Sequence, residues 1–203
     1  LITILATWRI GAIYQPLFTA FESKAIEHRI ETAQTQLIVT NEEQRAKLNQ
    51  IDIPHILTIY QAGNTPQPDA NFWQEIEKQS AECNPVMLTF EDDFLMMFTS
   101  GTTGLAKSVP VPLKAILAFK EYMRHAVDLR EEDSFWNLAD PGWAYGLYYG
   151  ITGPLGLGHS IIMDERPFSV DNALQIIQKY KVCNLTGSPT AFRMFFGFKE
   201  KFD

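Results

Sequence analysis

Five apolar residues, Phe94 to Phe98, run straight into Thr99-Ser100-Gly101-Thr102-Thr103-Gly104, six residues drawn only from Gly, Ser and Thr. Lys107 follows, and then Val109, Pro110 and Pro112. The apolar run has strand length and the composition of a strand buried on both faces. The six small residues offer nothing to pack. Gly101 and Gly104 let the backbone turn where a Cβ would clash. The prolines lack an N–H and push their predecessors out of the helical region, so the chain after Lys107 is expected to be extended. A fold built on this sequence therefore delivers a donor-rich loop at the end of a buried strand.

The rest of the chain alternates between helical and strand patterns. Leu1–Ile10 reads as a helix, Ala12–Tyr14 as a short strand, and Ser23–Ala33 as a helix with Ala25, Ile26, Ile30 and Ala33 on one face. Leu37–Val39 is a strand, Glu42–Leu48 a polar helix, Ile56–Tyr60 a strand and Phe72–Lys78 a helix. Leu113–Leu129 reads as a long helix and Ile161–Met163 as a strand. Ser169 is the expected cap of the helix that carries Val170, Ala173, Leu174, Ile177 and Tyr180. Asn184–Thr186 is a strand and Ala191–Phe198 a last helix. Strands separated by helices predict an α/β fold with largely parallel sheets. Gly63, Asn64, Pro66 and Pro68 mark a loop. They place the expected boundary between a first sub-domain, residues 1–68, and a second, residues 69–203, which carries the loop.

Composition narrows the function classes. Hydrophobic residues make up 46% and charged residues 20% of the 203, which excludes disordered and fibrous chains. The net charge of −7, with no basic tract, argues against nucleic acid and anionic membrane as partners. Cys83 and Cys183 form neither a disulfide framework nor a zinc pattern. His28, His55, His125 and His159 are scattered without metal-ligand spacing, so no metal site is expected. Glu131-Glu132-Asp133 reads as a solvated turn, and Met96 and Met97 as core. No apolar run reaches membrane-spanning length and no signal peptide is recognisable, so the expected location is cytoplasmic. The chain starts at Leu1 and stops at Asp203 inside apolar helical patterns, and is expected to be a piece of a longer protein. Phe192, Phe195, Phe196, Phe198 and Phe202 read as core, but with the chain cut at Asp203 apolar surface around Phe192–Phe202 is expected to be exposed and to drive self-association.

Four hydroxyls, freed backbone N–H groups and a lysine in one loop point to polyphosphate binding. Two loop types fit. Gly101 to Ser108 is one residue from a Walker A motif, with Ala106 in place of its last glycine, and Ile161–Asp164 resembles a Walker B strand. A Walker A lysine opens a helix, however, and Pro110 and Pro112 favour a loop between strands.

The string Thr99–Gly104 with Lys107 resembles the phosphate loop of the AMP-forming adenylating enzymes. The family usually flanks the lysine with Pro and Gly, where this chain has Ala106 and Ser108. Arg9–Ala12 with Phe18 and Phe21, Arg29 before the strand Leu37–Thr40, Ala139–Trp143 with Gly153–Leu155 and Gly158, and Ser188–Thr190 with Arg193 resemble the acetyl- and medium-chain acyl-CoA synthetase branch. The resemblance implies part of the large N-terminal domain of an acid–CoA ligase. In such an enzyme a carboxylate attacks the α-phosphate of ATP, and coenzyme A then displaces AMP. It implies that Thr99, Ser100, Gly101, Thr102, Thr103, Gly104 and Lys107 hold ATP phosphates. It places Gly187, Ser188 and Pro189 near the adenylate and Trp143 beside the acyl or coenzyme A channel, where an ordinary core tryptophan is the competing reading. Arg29 is a candidate for a coenzyme A phosphate, against a solvated helix arginine. The family's Mg²⁺ glutamate, ribose aspartate and mobile lysine lie downstream of these motifs, so the 203 residues alone are expected to be inactive. A P-loop NTPase and a non-catalytic binding module with the same fold are the alternatives.

Overall fold

The computed structural model describes residues 1–60, 69–100 and 104–198. The chain divides into two compact units, Leu1–Leu113 and Lys114–Asp203. The boundary expected at 68/69 differs from this division, because the strand at residues 70–71 adds to a sheet formed by earlier strands.

In the first unit, helix α1 (Ile2–Arg9) is followed by α2 (Ser23–Ala33) and strand β1 (Leu37–Asn41). Helix α3 (Glu42–Arg45) continues into a 3-10 turn, Ala46–Leu48, before β2 (His55–Ile59), the short β3 (Ala70–Asn71) and α4 (Phe72–Glu77). β1, β2 and β3 form a parallel sheet in that order. Ile26 and Ile30, one turn apart on α2, bury against Ile38 and Leu48, with Leu17, Phe21 and Ile56 around them. α2 ends at Gln34 in the left-handed conformation, and the Thr35 N–H bonds the Ile30 carbonyl at 3.0 Å, the six-to-one bond of a Schellman cap.

Strands β4 (Asp93–Thr99) and β5 (Lys107–Pro112) complete this unit as an antiparallel pair. The sheets are largely parallel as expected; this pair is the antiparallel exception, because residues 100–106 are too short a connection for a crossover, which needs a dozen residues or more. Phe94 and Leu95 are buried, and the Trp8 ring packs 5.4 Å from Phe94 while its Nε1 donates to the Phe94 carbonyl. Met97 is buried and Met96 half-buried. The strand expected at 12–14 reduces to one parallel bridge, Tyr14 to Leu95, since Pro16 can donate nothing further.

The second unit contains α5 (Ala115–His125), β6 (Phe135–Asn137), α6 (Ala144–Leu147), α7 (Gly153–Gly156), α8 (Val170–Tyr180), β7 (Asn184–Thr186) and α9 (Pro189–Gly197). α5 is shorter than the sequence suggests at both ends. The Leu113 N–H is held by the Asp92 carbonyl, and Asp128 is left-handed at φ 52°. β6 and β7 are parallel, with Ala173 and Ile176 of α8 packed on Trp136. Ser169 caps α8 as expected, its Oγ accepting from the Asn172 N–H at 3.1 Å. The strand expected at 161–163 is a single bridge, Trp136 to Ile162. Between α6 and α7 lies one π-helical segment, Tyr148–Thr152.

Candidate functional site

The phosphate-loop candidates sit in the first unit, where β4 ends and β5 begins. Thr99 pairs with Lys107 and Phe98 with Ser108, so the ladder closes the base of the connection. Thr99, Ser100, Gly104 and Lys107 are exposed. Gly104 has φ +93° with no atom within 4 Å of where a Cβ would stand. Its requirement for glycine is conformational, not steric. Gly101, Thr102 and Thr103 lie outside the described residues. Lys107 opens a strand, where a Walker A lysine would open a helix. The P-loop NTPase reading is thereby corrected, and Asp164, its Walker B candidate, is paired with Arg166 at 2.9 Å.

Arg29, on α2 of the same unit, is not a solvated helix arginine. Its guanidinium carbon lies 4.0 Å from the centre of the Phe21 ring and 5.3 Å from that of Phe98, and its Nη1 donates to the Ala25 carbonyl at 2.7 Å. Burial pulls its pKa below the usual arginine range.

Trp143, Gly187, Ser188 and Pro189 belong to the second unit, on the connections that leave the C-terminal ends of β6 and β7, where α/β sheets bind ligands. Trp143 is 50% exposed, which removes the core reading. It follows a tight turn in which the Asp140 carboxylate accepts the Gly142 N–H at 2.6 Å and the Asp140 carbonyl accepts the Trp143 N–H at 3.0 Å. A Cβ on Gly187 would stand 3.1 Å from the Leu138 side chain, so a larger residue would displace Leu138 or the turn. Ser188 is engaged locally: its Oγ accepts the Ala191 N–H and caps α9, with Pro189 in the first turn.

Sequence reading passed over the tyrosines that follow Trp143. The Tyr122 and Tyr149 rings stack at 3.9 Å, Phe119 stacks on Tyr148 at 4.3 Å, and Tyr145 meets Tyr149 edge-on. Burial, first among the causes, raises the pKa of Tyr145, Tyr148 and Tyr149. The signal available was Tyr145-Gly146-Leu147-Tyr148-Tyr149-Gly150, an aromatic run inside a helical pattern. Nearby, Asn137 Nδ2 is buried without a hydrogen-bond partner among the described residues. Among the described residues no group of three or more His, Cys, Asp or Glu side chains is arranged to hold a metal ion, and no helix is long and apolar enough to cross a membrane.

The family model described as AMP-binding enzyme matches residues 1–203. The acetyl-coenzyme A synthetase of Bacillus subtilis is 32% identical over 197 residues, 96% of this chain and 34% of that protein. Among solved structures, an acyl-CoA synthetase of Brucella canis superposes with a TM-score of 0.92 at 52% identity, over 96% of this chain and 36% of its own. An anthranilate CoA ligase in complex with anthranoyl-AMP has the same fold at 21% identity and a TM-score of 0.81. The chain spans about a third of the length of these proteins.

Proposed function

The chain belongs to the AMP-binding enzyme family, and from that premise we propose that it is the phosphate-binding part of an ATP-dependent, AMP-forming acid–CoA ligase acting on acetate or another short- or medium-chain carboxylate. The observation that carries this reading is the β4–β5 strand pair, with Thr99 opposite Lys107, exposed Thr99, Ser100 and Lys107, and Gly104 at φ +93°. In the first step a carboxylate oxygen bonds to the α-phosphorus of ATP and the bond to the β-phosphate oxygen breaks, releasing pyrophosphate. Negative charge builds on that leaving group. The hydroxyls of Thr99, Ser100, Thr102 and Thr103, the loop N–H groups at Gly101 and Gly104 and the Lys107 ammonium are the donors that would bind it. In the second step the coenzyme A thiolate attacks the acyl carbon and AMP leaves.

Gly187, Ser188 and Pro189 are the proposed backbone wall of the adenylate pocket, and Trp143 the proposed lining of the acyl or coenzyme A channel. Arg29 is the proposed contact for a coenzyme A phosphate. Mg²⁺ finds no ligand set among the described residues, and no step is assigned to it. Similarity to acetyl-coenzyme A synthetases supports a small carboxylate.

The test is carboxylate-dependent ATP–pyrophosphate exchange in the full-length protein. Replacing Lys107 and Thr102 together by alanine is expected to raise KM for ATP or lower the adenylation rate tenfold or more, about 1.4 kcal/mol of lost stabilisation. Unchanged exchange in the double variant would remove the loop from the reaction. No exchange in the wild type, with acetate to octanoate as substrates, would favour a non-catalytic module.

A further inference from the structure

We propose that His28 is a positioning residue for the phosphate loop: it fixes the peptide that carries Lys107 and so aims that lysine. The proposal rests on the ligase reading above and adds a residue outside the loop itself.

His28 is half-buried on α2, two positions after the core residue Ile26 and two before Ile30. The helix that carries it is anchored on both sides of this position. Ile26 and Ile30 lock its apolar face, and Gln15 Nε2 donates to the Arg29 carbonyl. From that fixed support the His28 Nε2 reaches the carbonyl oxygen of Ala106 at 2.8 Å. A carbonyl only accepts, so Nε2 carries the hydrogen. The ring is held a second time by Phe98 of β4, edge-on with centroids 6.4 Å apart.

The chosen acceptor is informative. The Ala106 carbonyl and the Lys107 N–H belong to one planar peptide unit. Fixing the oxygen fixes the plane, and with it the direction in which the Lys107 Cα and side chain leave the strand. Thr99 pairs with Lys107 at the same level of the ladder, and Phe98 with Ser108 one step further in. His28 therefore grips the residue at which β5 begins. Without it the loop end would depend on the terminal ladder pair alone, the position of a strand pair most prone to fraying.

The test compares three variants of the full-length protein in carboxylate-dependent ATP–pyrophosphate exchange. Glutamine places its amide N–H close to where the imidazole Nε2–H stands, whereas asparagine falls short. His28→Ala and His28→Asn are expected to raise KM for ATP about five- to tenfold, as for loss of one hydrogen bond, with KM for the carboxylate unchanged. His28→Gln is expected to restore the wild-type KM. Amide exchange at residues 104–108 is expected to quicken in the alanine and asparagine variants and return in the glutamine variant. Equal KM in all three variants, whether unchanged or equally impaired, overturns the proposal while leaving the ligase reading intact. Absence of exchange activity in the wild type overturns both.

Discussion

Asp69 is the most consequential single residue outside the loop. It is 7% exposed, and its carboxylate accepts from both Arg45 Nε and Arg45 Nη2, the latter at 2.8 Å, and from the Thr58 hydroxyl at 2.8 Å. The Arg45 hydrogen bond, followed by that of Thr58 against an opposing burial effect, holds the Asp69 pKa below the ordinary carboxylate range. A depressed folded-state pKa contributes stability that is present above the unfolded value, near 3.9, and is lost as pH falls through the folded value. Asp69→Asn is expected to cost about 3 kcal/mol at pH 7, because it leaves the Arg45 charge without its partner. The same substitution is expected to flatten the loss of stability below pH 4. Urea unfolding of both proteins at pH 7 and pH 3.5 checks this; parallel pH profiles would show that Asp69 is not the group lost. Nothing in the sequence marked this residue, since a lone Asp after a Pro-rich loop pairs with an arginine only once β2 and β3 are aligned.

At the scale of elements, the helix from Ala144 through the π-helical segment to Gly156 carries the sharpest steric constraint. A Cβ on Gly146 would stand 2.2 Å from the Asp140 carbonyl oxygen, and one on Gly153 2.7 Å from the Met123 side chain. Helix propensity favours Ala over Gly by about 1 kcal/mol, yet Gly146→Ala is expected to destabilise, because the atom in the way is backbone. A lowered melting temperature for Gly146→Ala, with Gly197→Ala as the open-space control, checks it; a rise in both would refute the clash. Elements with a complete local code were legible. α2 has its Ile26–Ile30 stripe, α8 its Ser169 cap, and β4 its apolar run, and the sequence predicts each within a residue or so. The extended run after Lys107 was legible from its prolines, as β5 bears out. β3 and β6 were passed over, two and three residues that are strands through their neighbours, whereas β7, equally short, was anticipated. The π-helical segment was hidden for a similar reason: it arises where packed tyrosines and glycines meet α5, not from any local signal. At the site, the loop donors could be read from composition, while the arginine–phenylalanine stack needed α2 and β4 brought together.

For the whole molecule, the proposed chemistry needs more than the loop donors. The chain spans about a third of the length of its relatives, the proposed chemistry also needs charge-stabilising groups on the other side of the reacting phosphorus, and loss of one such group costs on the order of 100-fold. The 203 residues alone are therefore expected to release no pyrophosphate from ATP and acetate, while the full-length protein does. Turnover by the short chain would overturn the proposed division of labour. The same chain exposes Phe196 at 70%, together with Met194 and Phe198 on or beside α9. Sedimentation is expected to show self-association that Phe196→Glu reduces.

Two strand pairs, one in each unit, differ in how far along the chain they reach, and that difference sets an order of assembly. β4 and β5 join near neighbours, down to Thr99 with Lys107, whereas β6 and β7 join Phe135 with Asn184. Local antiparallel pairing forms in about 1–10 μs, and distant parallel pairing waits on loop closure. Kinetic analysis of Val111→Ala and Leu185→Ala is expected to give a φ-value well above 0.5 for the first and near zero for the second; the reverse order would refute it. A chain emerging from synthesis would then hold the frame of its proposed phosphate loop before the residues that close the turn at Gly187 have been made.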